Sequence, residues 1–310
     1  MIHNRILALA AIPVVLAVAV APGDASIRDR IRERIAQRMQ AQIREDQTVD
    51  GKEVAYGKDP LQTLAFWAPT LQTTRPAPLI LFVHGGGWKR GDKTNATGKA
   101  KVAHFREQGY AVASIDYRLV PNATIEQQAA DVAGALAYMK AHAGEFGIDP
   151  ARIVLMGHSA GAHLVALVGT DPRYLQAAGL SESDVAGIVP IDGAAYDVAK
   201  QVEIGGRFMA ETYGQAFGTD PERQRALSPT FQAAAPNAPA FLILHVQRKD
   251  GIAQSQALAE ALRKAGTPVQ INDFPGTGLK GHMVINRSLG DPSYAATPVV
   301  DAWLKARFGS

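Results

Sequence analysis

The chain has 310 residues, 47% hydrophobic and 20% charged, with a formal net charge of +3; that length supports one large buried core, and that charge is too small to argue for a nucleic-acid partner. It contains no cysteine, which excludes disulfides, thiol catalysis and cysteine-based metal sites and leaves stability to the core. The eight histidines show neither HExxH nor the paired spacing that a zinc site needs.

At the start of the chain, Arg5 precedes an almost wholly apolar run over 6–20, and Ala19-Val20-Ala21 offers a small-x-small cleavage site. This pattern predicts a signal peptide over residues 1–21 and export to the periplasm or the medium. A transmembrane anchor is the rival reading, weakened by Pro13 and by a run shorter than the ~20 residues a span requires. Over the next segment, 22–47, Ile27, Ile31, Ile35, Met39 and Ile43 recur every four positions and place one apolar stripe on a helix. Six arginines (Arg28, Arg30, Arg32, Arg34, Arg38 and Arg44) mix there with Asp29, Glu33, Glu45 and Asp46. They describe an amphipathic helical arm with a solvated face; a flap over an active-site mouth and a peripheral contact with a membrane surface are the sharper alternatives.

From residue 48 to 310 the pattern becomes one α/β domain. Apolar runs at 79–83, 111–115, 153–156, 188–191, 241–245 and 269–274 predict strands, and their unbroken apolar character suits strands covered by helices on both faces. Helical spacing over 125–142 and 255–265 supplies crossover helices, the second stopped by Gly266-Thr267-Pro268. A mostly parallel central sheet flanked by helices follows. The longer, irregular stretch 193–239, with Gly205-Gly206 and the aromatic residues Phe208, Tyr213 and Phe217, reads as a short partial lid.

Two strand-to-loop transitions carry chemistry. The strand at 153–156 runs into Gly157-His158-Ser159-Ala160-Gly161, and helical, apolar character resumes at Ala162. In that context G-x-S-x-G is a sharp turn that lifts a serine hydroxyl above the sheet, with the helix N-terminus behind it favouring developing negative charge. Upstream, the strand at 79–83 leads into His84-Gly85-Gly86-Gly87-Trp88, whose glycine amides can be aimed at the oxygen on which acyl transfer builds charge. A serine nucleophile needs a base and an orienting acid. His282 is the only histidine late enough in the chain. For the acid, Asp250 follows the strand at 241–245, while Asp192 ends the strand at 188–191 and is its rival; Asp250 is the preferred reading, giving the order Ser159, Asp250, His282.

These motifs together resemble the hormone-sensitive-lipase-like and feruloyl-esterase-like branches of the α/β-hydrolases. The resemblance runs over about 54–308 and includes His84 to Trp88, Gly91-Asp92-Lys93, Asp116-Tyr117-Arg118-Leu119, Gly157 to Gly161, Asp250 and His282, in that order. It implies the α/β-hydrolase fold, hydrolysis of small-molecule carboxylic esters, and no metal or organic cofactor. By the same resemblance the oxyanion donors are the amides of Gly86, Gly87 and Ala160, Trp88 lies near the substrate pocket, and Asp116 and Arg118 are structural. Trp88 is shared with formamidase-type relatives that cleave an aryl formamide, so ester and formamide substrates stay unseparated. A non-catalytic binding protein on the same scaffold is the alternative from another class. Two departures concern the pocket entrance: Leu279-Lys280 ahead of His282, and Val246-Gln247-Arg248-Lys249 in place of the small residues often found before the acid.

Overall fold

The computed structural model describes residues 51–309 apart from 72, 73 and 235; the expected signal peptide (1–21) and amphipathic arm (22–47) lie outside the described residues. Eight strands form one sheet: β1 (Lys52–Ala55), β2 (Thr63–Trp67), β3 (Ala77–Val83), β4 (Ala111–Ile115), β5 (Ile148–His158), β6 (Gly187–Ile191), β7 (Phe241–Gln247) and β8 (Val269–Thr277). Their order is β1-β2-β4-β3-β5-β6-β7-β8. Only the pairings of β2 with β1 and β4 are antiparallel; β4, β3, β5, β6, β7 and β8 run parallel.

The two-residue period of a strand explains how one apolar run serves two cores. Along β3, Leu79, Leu81 and Val83 face one core with Val132 and Leu136 of α2 (Ile125–Ala141) and Leu164 and Val168 of α4 (Ala160–Thr170). The alternate residues Ile80 and Phe82 face the other. That second core holds Val102 and Phe105 of α1 (Lys93–Glu107), Ile285 of α10 (Gly278–Ser288), and Val300 and Leu304 of α11 (Ala296–Phe308). Local signals set the helix ends. At the start of α2 the Thr124 hydroxyl and the Gln127 side chain cap each other's backbone amides, an arrangement worth about 1 kcal/mol.

All six predicted strands form, several a few residues longer than their apolar runs. β1 and β2 add to these six: β1 is four residues, mostly exposed and without an apolar run, and β2 is a short strand buried over Leu64–Trp67. The segment 193–239 is mainly helical: α6 (Val198–Phe217) with a break at Gly206, α7 (Pro221–Ala226) and α8 (Pro229–Gln232). The predicted helix at 255–265 begins six residues earlier, as α9 (Lys249–Lys264), and this places Asp250 inside its first turn. Two short helices, α3 (Ala143–Phe146) and α5 (Pro172–Ala177), also form. Among the described residues no helix is long and apolar enough to cross a membrane.

Candidate active site

Parallel strands deliver their carboxyl ends to one edge of the sheet, where open α/β folds bind ligands. β5 ends there at His158, and Ser159 turns the chain into α4 with φ 57° and ψ −116°. Such a conformation costs a non-glycine residue about 1–3 kcal/mol and persists only where its surroundings impose it. The flanking glycines make it feasible: a methyl on Gly161 would strike the carbonyl oxygens of Val83 and His84, and one on Gly157 would strike the carbonyl of Gly161. The Ser159 amide donates to Ile191 O at 3.0 Å, so the turn is fastened to β6.

His282 lies in α10, immediately after β8. Its Nε2 accepts from the Ser159 hydroxyl at 3.0 Å, and its Nδ1 donates to Asp192 Oδ2 at 2.5 Å. His158 Nε2 donates to the His282 carbonyl at 3.0 Å. The two rings are 4.4 Å apart, and burial holds the His158 imidazole well below its ordinary pKa and therefore neutral. The three side chains thereby stand as hydroxyl, imidazole and carboxylate in one hydrogen-bonded line, the arrangement that acyl transfer requires.

The acid in this arrangement is Asp192, which corrects the preference for Asp250. Asp192 is fully buried at the end of β6, the strand beside β5. Its φ of 44° is one that aspartate tolerates better than most residues. Its amide donates to Leu244 O at 2.7 Å, and its Oδ1 accepts from the Val246 amide at 3.1 Å. Burial pushes its carboxyl pKa up, but the hydrogen bond and charge of His282, the charge of Arg248 and the Val246 amide outweigh it and leave the group below its ordinary value. Asp250 faces elsewhere: its Oδ2 accepts from Gln201 Nε2 at 3.3 Å and lies 3.7 Å from Arg248 Nη1. The physical reason is the early start of α9, which winds Asp250 toward the α6 side. A buried strand ending in Asp192-Gly193 one position along the sheet from the serine was the signal in the sequence; strand order alone gives it meaning.

The loop after β3 lies against the nucleophile, since a methyl on Gly85 would sit 3.0 Å from Ser159 Cβ. Gly86 and Gly87 both have positive φ, 124° and 62°, and Ala160 is the first residue of α4, whose opening amides have no partner within the helix. His84 braces this loop. Its Nδ1 donates to Gly85 O at 2.7 Å, its ring stacks on Tyr117 at 4.2 Å, and the Tyr117 hydroxyl donates to the His84 carbonyl at 2.9 Å.

Trp88, which the resemblance sets near the substrate pocket, follows the glycine loop directly. Its side chain is buried; Nε1 donates to His163 Nδ1 at 3.3 Å, and the ring packs against Tyr213 and Phe217 of α6. His163 Nε2 in turn donates to Leu227 O at 2.9 Å, and burial lowers its pKa to about 4. Trp88 thus fastens the helical cover to the glycine loop. Asp116 and Arg118 hold structure: Asp116 Oδ2 pairs with Lys93 Nζ at 3.0 Å, and Arg118 Nη2 pairs with buried Asp131 at 2.6 Å. Among the described residues no cluster of three histidine, aspartate or glutamate side chains is placed to hold a metal.

Comparison with known proteins agrees with this fold. Esterase LipC of Mycobacterium tuberculosis is 32% identical over 250 residues, 76% of this chain and 61% of LipC, so the chain spans about three fifths of that relative's length. Among solved structures, Esterase B of Lactobacillus rhamnosis superposes with a TM-score of 0.73 at 21% identity, covering 93% of this chain and 95% of that one. The thermophilic esterase Est2 of Thermogutta terrifontis gives 0.66 at 25% identity, covering 83% and 92%. The BD-FAE family model matches residues 64–262, a stretch that contains Ser159 and Asp192 and stops short of His282. Matched over well more than half its length and built on the α/β-hydrolase sheet, the chain belongs to the BD-FAE family.

Proposed function

We propose that the protein is a serine carboxylesterase that hydrolyses short-chain or aryl carboxylic esters through an acyl-enzyme. The observation that carries this reading is the continuous hydrogen-bonded line from Ser159 Oγ through His282 to Asp192. His282 takes the Ser159 proton as the oxygen attacks the ester carbonyl, and Asp192 holds the imidazole in the required tautomer and stabilises the imidazolium. The tetrahedral oxygen is received by the amides of Gly86, Gly87 and Ala160. His282 then protonates the leaving alcohol, and in the second half-reaction it activates the water that releases the acid. Loss of one such oxyanion donor typically costs about 3–4 kcal/mol of transition-state stabilisation.

Substrate size follows from the cover. Thr212 of α6 stands so close that a methyl on Gly87 would meet its Cγ2 at 3.2 Å, and Trp88, Tyr213 and Phe217 fill the space behind with buried rings. With these groups crowded beside the glycine loop, small acyl or aryl groups are favoured over long chains. The direct test is p-nitrophenyl acetate hydrolysis with fluorophosphonate labelling. Ser159→Ala is expected to lower kcat by about 10⁶-fold and abolish labelling with the fold intact; wild-type-like turnover by that variant would sink the assignment. An aryl formamide assayed beside the ester panel separates the two substrate classes that share Trp88.

Export is the second part of the reading, supported by Arg5, the apolar run and the Ala19-Val20-Ala21 site. Protein recovered outside the cytoplasm should begin at residue 22 on N-terminal sequencing. Recovery in the membrane fraction still beginning at Met1 would favour the anchor.

A further inference from the structure

Arg248 is placed where the reaction scheme above assigns no role. Its Nε lies 3.1 Å from Asp192 Oδ2, the same oxygen that accepts from His282 Nδ1. Its Nη2 donates to the Asp192 main-chain oxygen at 3.4 Å, and its Nη1 lies 3.7 Å from Asp250 Oδ2. The Nε contact is a charge pairing and not an aligned hydrogen bond, so the guanidinium acts on Asp192 mainly through its field. One positive charge therefore sits between two carboxylates of unequal environment: Asp192 is fully buried, whereas the Asp250 side chain is 26% exposed.

We propose that Arg248 is a positioning residue that sets the basicity of His282 by partly neutralising Asp192, and that Asp250 is the counter-charge that limits this effect. The inference rests on the Ser159–His282–Asp192 reading. Its physical basis is that the imidazolium formed during acyl transfer is stabilised by the net charge it faces. With Asp192 alone that charge is close to −1; with Arg248 on the same oxygen it is smaller, and the imidazole stays neutral, and competent as a base, at lower pH. Asp250 draws part of the guanidinium charge away. It also accepts from Gln201 of α6, whose amide donates to the Tyr213 hydroxyl at 3.0 Å, so the balance is tied to the seating of the cover.

The other groups around the pair do not supply this control. His158 is kept neutral by burial, with His282, Lys101 and Arg248 pushing its pKa in the same direction. Tyr196 and Tyr294, which face the Asp192 charge, have phenol pKa values raised by burial first and by Asp192 second, and stay neutral. Asp192 is held ionised, so the carboxylate that faces His282 keeps its charge along the acid limb of a kcat/KM–pH profile.

The test is that profile for p-nitrophenyl acetate in the full-length enzyme, with an NMR titration of the His282 ring as a second readout. Arg248→Gln should move the acid-limb midpoint up by about one pH unit, the lower end of what a neighbouring charge produces. Arg248→Lys, which keeps the charge, should restore it toward wild type. Asp250→Asn should move it down, with plateau kcat little changed. If Arg248→Gln lowers kcat with the midpoint unmoved, or if Asp250→Asn moves it up or not at all, the proposal is overturned. Should Arg248→Gln fail to fold, the sign of the Asp250→Asn shift decides alone. Failure of the underlying triad reading is distinguishable, because Ser159→Ala would then retain hydrolysis, or Asp250→Asn would lose more kcat than Asp192→Asn.

Discussion

At the end of β6, Asp192 turns one carboxylate oxygen to His282 and the other to the Val246 amide, whereas Asp250 in the first turn of α9 points to a glutamine and a shared arginine. Replacing each by asparagine therefore separates orientation from electrostatics. Asp192→Asn keeps the shape but presents an amide that can hold the imidazole in the wrong tautomer, and kcat should fall by about 10⁴-fold. Asp250→Asn should leave kcat close to wild type. Steady-state kinetics on both variants checks this, and the reverse order of losses would return Asp250 to the role of acid. Ser159 was legible as a residue because its requirement is local: a strand, two small flanks and a helix, all contiguous. Asp192 and Asp250 meet the same local description, each an acid at the end of a buried strand, and no neighbouring residue separates them.

Among the elements, the helical cover and the helix bearing His282 each have one buried polar or aromatic side chain that fastens them to a neighbour. Trp88 joins the glycine loop to α6 through Tyr213 and Phe217 and to α4 through His163. Trp88→Ala opens a cavity there and should cost about 3–5 kcal/mol, read as a lower Tm and a weaker response to substrate size. Lys101 of α1 is buried; its ammonium meets the Asn286 main-chain oxygen of α10, reaches Asn286 Oδ1 at 3.0 Å and lies 5.3 Å from the Phe82 ring centroid. Burial lowers its pKa to about 7. An unfolded lysine titrates at about 10.4, so between those values the unfolded chain binds more protons than the folded one and stability rises with pH. Urea denaturation at pH 7 and pH 9 should show this rise in wild type and a flatter dependence in Lys101→Met. Periodicity predicted the existence of the strands and crossover helices well, because burial on both faces writes a continuous apolar run into the sequence. It predicted the start of α9 poorly: Lys249 and Asp250 carry no apolar period, and the six-residue difference is what turned Asp250 away from His282.

For the whole molecule, every residue of the proposed machinery lies between β3 and α10. A chain beginning at residue 48 is accordingly expected to fold and to keep its kcat/KM on a small ester; loss of activity with an intact circular-dichroism spectrum would assign the 22–47 arm a part in the site. What the sequence determined by itself was everything specified by contiguous residues: the absence of thiol chemistry, the α/β layering, the strained serine turn and the glycine loop. Even His282 was found by chain order, a one-dimensional property. What only the tertiary structure decided was adjacency across the sheet. β6 lies beside β5, and its end brings Asp192 to the imidazole; β7 lies one strand further, and its end brings Arg248 to that same carboxylate. The buried indole of Trp88 and the division of the Arg248 charge between Asp192 and Asp250 are likewise consequences of packing. The physical reason is that a local pattern specifies which element a residue ends, while strand order specifies which charge it meets there.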